Sequence, residues 1–178
     1  RLLQELATDA RARAMVTVTS NGHEGGPPYH VFVPVFRQLL FITAEDGDRE
    51  ILRRIEESTA HVPSAAVHAR RLGGLLVRRE ATTGPPAGAV EEGAICQSAW
   101  VVLAAVTDEP LLILVDDLHI ADPGSMAMFE FFSRQLASSP VCLVGASRTN
   151  ELMAGSESVF HRLERLCRQP HCQAVTLQ

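Results

Sequence analysis

The chain has 178 residues, a formal net charge of −5 and a hydrophobic fraction of 46%, which is enough for one domain with a substantial core. The acidic balance argues against a nucleic-acid-binding surface on these residues. All 16 residues counted as lysine or arginine are arginine. The absence of lysine excludes a Schiff-base lysine, a Ser-Lys hydrolase and a phosphate-loop lysine within the chain.

The sequence contains no segment that predicts a membrane span or a secretion signal. The longest weakly polar stretch, residues 94–106, is too short to cross a bilayer, and the first 14 residues have a charged helical pattern rather than a signal-peptide pattern. The cysteines lack the spacing of a disulfide framework; they are Cys96, Cys142, Cys167 and Cys172. We therefore expect a cytoplasmic protein with no membrane partner.

The first half of the chain predicts one strand among helices. Residues 1–14 place Leu2, Leu3, Leu6 and Ala10 on one helical face, and Met15–Ser20 has the β-branched pattern of a strand. A Gly/Pro-rich loop follows. Further helices are expected from near Pro34, over Glu45–Ser58, over Pro63–Arg79 with an interruption at Gly73-Gly74, and, after a break at Thr83–Gly88, over Glu91–Val106 with Trp100 facing inward.

The second half alternates strand and helix, which predicts a parallel α/β sheet. Leu111–Val115 is a continuous aliphatic run of the kind that a strand buried on both faces requires. Asp122-Pro123 supplies an N-cap and a first-turn proline for a helix with Phe129, Phe132 and Leu136 inward. The remaining predicted elements are a buried strand at Val141–Ala146, an amphipathic helix at Ser156–Arg168 and a short strand at Ala174–Leu177.

Two adjacent carboxylates, Asp116 and Asp117, follow the aliphatic run and are called the acid pair below. Open α/β folds bind ligands at the carboxyl edge of the sheet, where these side chains are expected. A carboxylate there can hold Mg²⁺ beside nucleotide phosphates, and its neighbour can orient a water molecule. From the residues alone, an Asp pair that only caps the loop after the strand is the favoured interpretation.

The wider sequence resembles a known family. Residues 111–122 (LLILVDDLHIAD), the capped helix, the next strand and the segment GASRTNE at 145–151 are similar to the ATPase domain of large ATP-binding LuxR-type regulators, which belong to the STAND branch of AAA-like P-loop NTPases. RLLQELATDARARA looks like the helix that follows the family's phosphate-binding loop, and the segment around Pro28-Tyr29 looks like its Pro-Tyr stretch. The resemblance covers most of the chain and is weakest over residues 60–95.

The resemblance implies a role for three residues. Asp116 matches the Mg²⁺-associated Walker-B aspartate, Asp117 matches the second acid, and Arg148 matches the polar sensor after the next strand, which could read the γ-phosphate. Without the family context, Arg148 is equally well interpreted as a surface arginine that pairs with Glu151. His119 is interpreted as a structural histidine that makes a hydrogen bond.

Two departures from the family pattern affect the interpretation. Ile120 stands where the family usually has tryptophan, and no G-x-x-x-x-G-K-[ST] motif is present. We therefore expect a partial AAA-like domain over residues 1–178, without its first strand and phosphate loop. Its helical insertion would span about 31–106 and its Walker-B half about 107–178.

The function implied by the resemblance is an ATP- and Mg²⁺-dependent switch that governs self-association in a transcriptional regulator. DNA would bind to a helix-turn-helix domain that is not in this chain. Two other hypotheses remain open: a non-hydrolysing scaffold derived from an ATPase, and an ATPase domain coupled to a cyclase or kinase output.

The sequence predicts that the 178-residue chain alone does not turn over ATP. Without loop amides and a lysine, the β- and γ-phosphates lose their main cradle, and Asp116 binds metal only weakly. A steady-state ATPase assay on the pure chain tests this prediction. Mg²⁺-dependent turnover that disappears in the Asp116→Ala variant would contradict it.

Overall fold

The computed structural model describes residues 2–63, 65–77, 89–148 and 157–176, which form an α/β fold with a parallel sheet flanked by helices. The three strands are β1 (Val16–Asn21), β2 (Leu111–Asp116) and β3 (Val141–Gly145), paired in the order β1-β2-β3. The helices are α1 (Leu2–Ala12), α2 (Phe32–Leu39), α3 (Asp48–Thr59), α4 (Ala65–Val77), α5 (Ala89–Ala105), α6 (Pro123–Gln135) and α7 (Glu157–Cys167). Short 3₁₀ turns cover Leu118–Ile120 and Leu136–Ser138.

The central strand β2 is buried on both faces, as its aliphatic sequence predicts. Leu111, Ile113 and Val115 belong to the main core, which the helices between β1 and β2 share with α6. Leu112 and Leu114 face the other side, where Ala7 and Ala10 of α1 cover them. The parallel sheet and its central strand are therefore confirmed.

A side chain pairs with part of the outer edge of β1, which has no neighbouring strand among the described residues. The Gln38 amide of α2 donates from Nε2 to the Thr19 carbonyl oxygen at 2.8 Å and accepts the Thr19 N–H on Oε1 at 3.3 Å. One glutamine thus pairs with both backbone groups that Thr19 directs away from β2. Such pairing removes part of the open hydrogen-bonding edge that makes edge strands prone to aggregation.

The helix predicted with an interruption at Gly73-Gly74 is continuous from Ala65 to Val77, so that expectation is wrong. Gly73 is buried, and a Cβ at this position would overlap the Leu52 side chain of α3. The glycine therefore permits close packing of two helices and does not break one. Pro34 stands in the first turn of α2, which begins at Phe32, because a proline is tolerated there.

Helix α7 is fixed to α6 through a buried carboxylate. Glu130 is 8% exposed, and its Oε1 accepts from Arg162 Nε at 3.0 Å and from Arg165 at 3.2 Å. Arg162 also donates to the Pro123 carbonyl oxygen at 3.2 Å. The two arginines compensate the burial of Glu130, which would otherwise be costly.

Three other expectations differ from the structure. Ala174–Thr176 is exposed and is not a strand, and the rest of the expected strand lies outside the described residues. Only Val141 of β3 is buried, because β3 is an edge of the described sheet. Leu2 and Leu6 are exposed, since α1 packs through the small side chains of Ala7 and Ala10. Two expectations lie outside the described residues: the break at Thr83–Gly88, and Glu151 as the alternative partner of Arg148.

Helix α2 ends on a residue type that does not suit its backbone. Phe41 has φ +54° and an exposed fraction of 80%. The Phe41 and Ile42 N–H groups donate to the carbonyl oxygens of Gln38 and Arg37 at 3.3 and 2.8 Å, which is the Schellman pattern of helix termination. Glycine is favoured at this left-handed position because a Cβ there is strained.

We expect Phe41→Gly to raise the free energy of unfolding by about 0.5–1 kcal/mol, the strain relief less the entropy that glycine adds to the unfolded chain. The exposed ring contributes little burial that could be lost. Phe41→Ala is the matched control, because alanine removes the ring but keeps the strained Cβ. Urea unfolding measures both variants, and equal stability of the two would contradict the strain argument.

Candidate functional site

The polar residues predicted as a site gather where the strands end. Asn21 and Asp116 are paired at the carboxyl ends of β1 and β2, and Asp117 and Arg148 follow β2 and β3. Asp116 and Arg148 are exposed, and Asp117 is half-buried. The sheet thus presents the acid pair and one arginine at the edge where open α/β folds bind ligands.

The backbone of Asp117 turns sharply out of the strand. Its φ and ψ are +49° and 41°, in the left-handed region, which aspartate tolerates better than most residues. Its N–H donates to Asp116 Oδ1 at 2.9 Å, which fixes one carboxylate against the turn. The two members of the acid pair therefore occupy different environments. Asp116 is exposed and has one oxygen held by the Asp117 N–H, whereas Asp117 is half-buried.

Arg148 lies beside Asp117 because the loops after β2 and β3 are joined. The Leu118 N–H donates to the Ala146 carbonyl oxygen at 2.9 Å, and the Ala146 N–H donates to that of Val115 at 2.8 Å. Arg148 Nε is 3.4 Å from Asp117 Oδ1, and their side chains are 65% and 27% exposed. An ion pair with one largely exposed partner contributes little stability by itself.

Gly22 is a site residue that the sequence analysis did not single out. Its N–H donates to the Asp116 carbonyl oxygen at 2.9 Å, and a Cβ on Gly22 would overlap the carbonyl oxygen of Asp117. Only glycine permits this approach of the β1–α2 loop (residues 22–31) to the acid pair. The signal in the sequence is a glycine directly after a strand, which marks a close backbone approach.

The best-connected carboxylate near this edge is Asp122, the N-cap of α6. Its Oδ1 accepts the backbone N–H groups of Tyr29 and Ser125, each at 2.9 Å. Its Oδ2 accepts the Ser125 hydroxyl and lies 2.9 Å from His30 Nδ1. The predicted N-cap is confirmed, and the contacts with Tyr29 and His30 add a tertiary role that the cap signature does not indicate.

These contacts keep Asp122 ionised. Burial opposes its charge, but the hydrogen bonds from His30, Ser125 and the two backbone amides outweigh that effect and hold the pKa of Asp122 below its ordinary value. The Val31 N–H donates to the Ser125 hydroxyl at 3.3 Å, and the Val31 carbonyl accepts from Ser20 at 2.6 Å. One carboxylate and one serine thus attach the β1–α2 loop to the start of α6.

The predicted site residues are therefore brought together. Asp117 and Arg148 are in contact, Asp116 is adjacent to them, and His119 is buried in the turn that follows. All four cysteines are free, and only Cys96 is buried. Among the described residues, no group of three or more His, Cys, Asp or Glu side chains is arranged to hold a metal ion on its own.

Comparison with protein-family models, curated proteins and solved structures gave no match to this chain. The structure itself defines the class: the described residues form an α/β domain with a parallel sheet, and polar residues lie at the carboxyl ends of its strands. Within the described ranges, no helix is both long and apolar enough to cross a membrane.

We expect Asp122→Asn to lower the free energy of unfolding at neutral pH by about 2 kcal/mol, since hydrogen bonds to charged groups are worth about 1.5–3 kcal/mol. Because the folded-state pKa of Asp122 is lowered, its stabilisation is present above the unfolded pKa and lost as the pH falls through the folded value. The difference between wild type and variant should therefore shrink below about pH 4.

Urea unfolding of both proteins from pH 7 to pH 3 measures this difference. Asp108→Asn is the matched control, because Asp108 is an exposed carboxylate in the loop before β2. A difference between wild type and Asp122→Asn that stays constant over this range would show that the ionised carboxylate is not the source of the stability.

Proposed function

We propose that this chain is the ATP- and Mg²⁺-dependent switch domain of a STAND-type, LuxR-family-like transcriptional regulator. The observation that carries the proposal is the acid pair at the carboxyl end of the buried central strand, with Arg148 of the neighbouring strand end 3.4 Å from Asp117. Asp116 and Asp117, which follow the central strand, lie near Arg148, which the resemblance implies, at the edge where open α/β sheets bind ligands.

The donor set suits Mg²⁺. Asp116 is an exposed carboxylate at a strand end, and hard oxygen ligands that leave room for water are what Mg²⁺ prefers. Bound there, the ion would supply charge neutralisation for a nucleotide triphosphate. The Asp117 N–H holds one oxygen of Asp116 and so limits the orientations of the carboxylate.

The remaining two residues would act on the phosphate end of the nucleotide. Arg148 carries an exposed guanidinium that donates charge-assisted hydrogen bonds, and a γ-phosphate is a stronger partner for it than one carboxylate. Asp117, released from Arg148, would accept a proton from a water molecule and orient it. Exchange of Arg148 between Asp117 and a phosphate is a simple way for this edge to distinguish nucleotide states.

The strand order also supports the proposal. Within the described sheet β3 has a partner on one side only, and its other edge is where the resemblance implies the strand of the phosphate loop. The chain contains no lysine, so the phosphate-loop lysine would come from outside these residues. Self-association would follow nucleotide state, and DNA would bind through a separate domain, consistent with the net charge of −5 here.

The test uses Asp116→Ala and Arg148→Ala in the longest natural protein that contains these residues. We expect each variant to weaken Mg²⁺-dependent ATP binding or hydrolysis by about tenfold or more, the effect of removing a ligand or a charge-assisted hydrogen bond of about 1.5–3 kcal/mol. The fold should be retained, since both side chains are exposed. Nucleotide binding, hydrolysis and thermal unfolding are measured on the same samples.

Asp108→Ala and Arg134→Ala are matched controls, because each removes an exposed charge of the same sign away from the strand ends. A normal nucleotide response in both site variants would overturn the proposal. If wild type binds no nucleotide at all, the non-hydrolysing scaffold is the better description.

A further inference from the structure

His30 is only 5% exposed, and its two ring nitrogens face different segments of the chain. Nδ1 lies 2.9 Å from Asp122 Oδ2, and Nε2 accepts the backbone N–H of His23 at 3.1 Å. An imidazole nitrogen accepts a hydrogen bond only when it carries no proton, so the contact from His23 requires a ring without a proton on Nε2. In this form His30 connects the start of α6 to the beginning of the β1–α2 loop.

The titratable groups around His30 come from two segments. From the turn before α6, Asp122 faces Nδ1; from its own loop, the His23 ring lies 4.2 Å away, centroid to centroid. Tyr29, the preceding residue, has a pKa raised by burial and by Cys96, Glu92 and Asp122, so it stays neutral where histidines titrate.

A proton on Nε2 would make the contact with His23 repulsive and strengthen the contact with Asp122. The new N–H would point at the N–H of His23, two donors 3.1 Å apart, while the imidazolium would pair more strongly with Asp122. The ring is closely enclosed, because a Cβ on Gly26 would overlap both His30 and His23. His30 therefore cannot turn aside easily, and the strain falls on the His23 end of the loop.

We propose that His30 is a proton-dependent latch that holds residues 22–26 against the carboxyl edge of the sheet when neutral and releases them when protonated. The segment is equipped for such a movement by Gly25, which has φ +68°, and by Gly26. Its first residue, Gly22, donates to the Asp116 carbonyl oxygen and touches Asp117, so release would open the backbone beside the acid pair. This inference does not depend on nucleotide binding.

Hydrogen exchange of the 178-residue chain, followed by NMR and corrected for intrinsic rates, tests the latch. Between about pH 7.5 and 5.5, where imidazole titrates, we expect the protection of the His23 amide to fall about tenfold, the effect of one lost hydrogen bond. The Val115 amide, in the centre of the sheet, should keep its protection. The His30 ring-proton shifts should titrate with the same midpoint as the loss.

Two variants locate the titrating group. His30→Gln places a non-titrating acceptor near the position of Nε2, so the His23 amide should stay protected at both pH values. His23→Ala removes the second imidazole but keeps the backbone donor, so the pH response should persist. Loss of the response in His23→Ala, an unchanged response in His30→Gln, or parallel loss of Val115 protection in wild type would each overturn the latch. If His30→Gln does not fold, a His30 ring midpoint that differs from the amide midpoint would also overturn it.

Discussion

The Asp122 carboxylate is the interaction on which the arrangement of this edge depends. It caps α6, and it also accepts the N–H of Tyr29, which lies 93 residues earlier in the chain. The ring of the next residue, His30, lies against the same carboxylate. Without it, α6 would lose its N-cap and the β1–α2 loop would lose its main attachment. The turn that carries the acid pair lies between these two segments, so its position is set from both sides.

The sequence predicted the features whose cause is local. The aliphatic run of β2 requires burial on both faces, and Asp122-Pro123 is a cap signature, so both could be read from neighbouring residues. The placement of Asp116 and Asp117 followed from a rule about strand ends, and Arg148 was selected because of the family resemblance. That rule predicted their proximity without any knowledge of the tertiary structure.

Features that depend on a distant partner could not be predicted in this way. Gly73 resembles a helix breaker until Leu52 is placed beside it, and Gly22 is an ordinary loop glycine until Asp117 approaches it. The His30–Asp122 contact joins two segments whose separation no periodicity encodes. The strand was predicted over Ala174–Leu177, but its described part, Ala174–Thr176, has no strand conformation, because β-propensity alone does not supply a neighbour to pair with.

The contact between Gln38 and Thr19 makes the two outer edges of the described sheet unequal. A side-chain amide satisfies Thr19 on one flank, while β3 has no strand on its far side within the described residues. An added strand would therefore have to displace the Gln38 amide to pair with Thr19 of β1, whereas no such displacement is needed at β3 within the described residues.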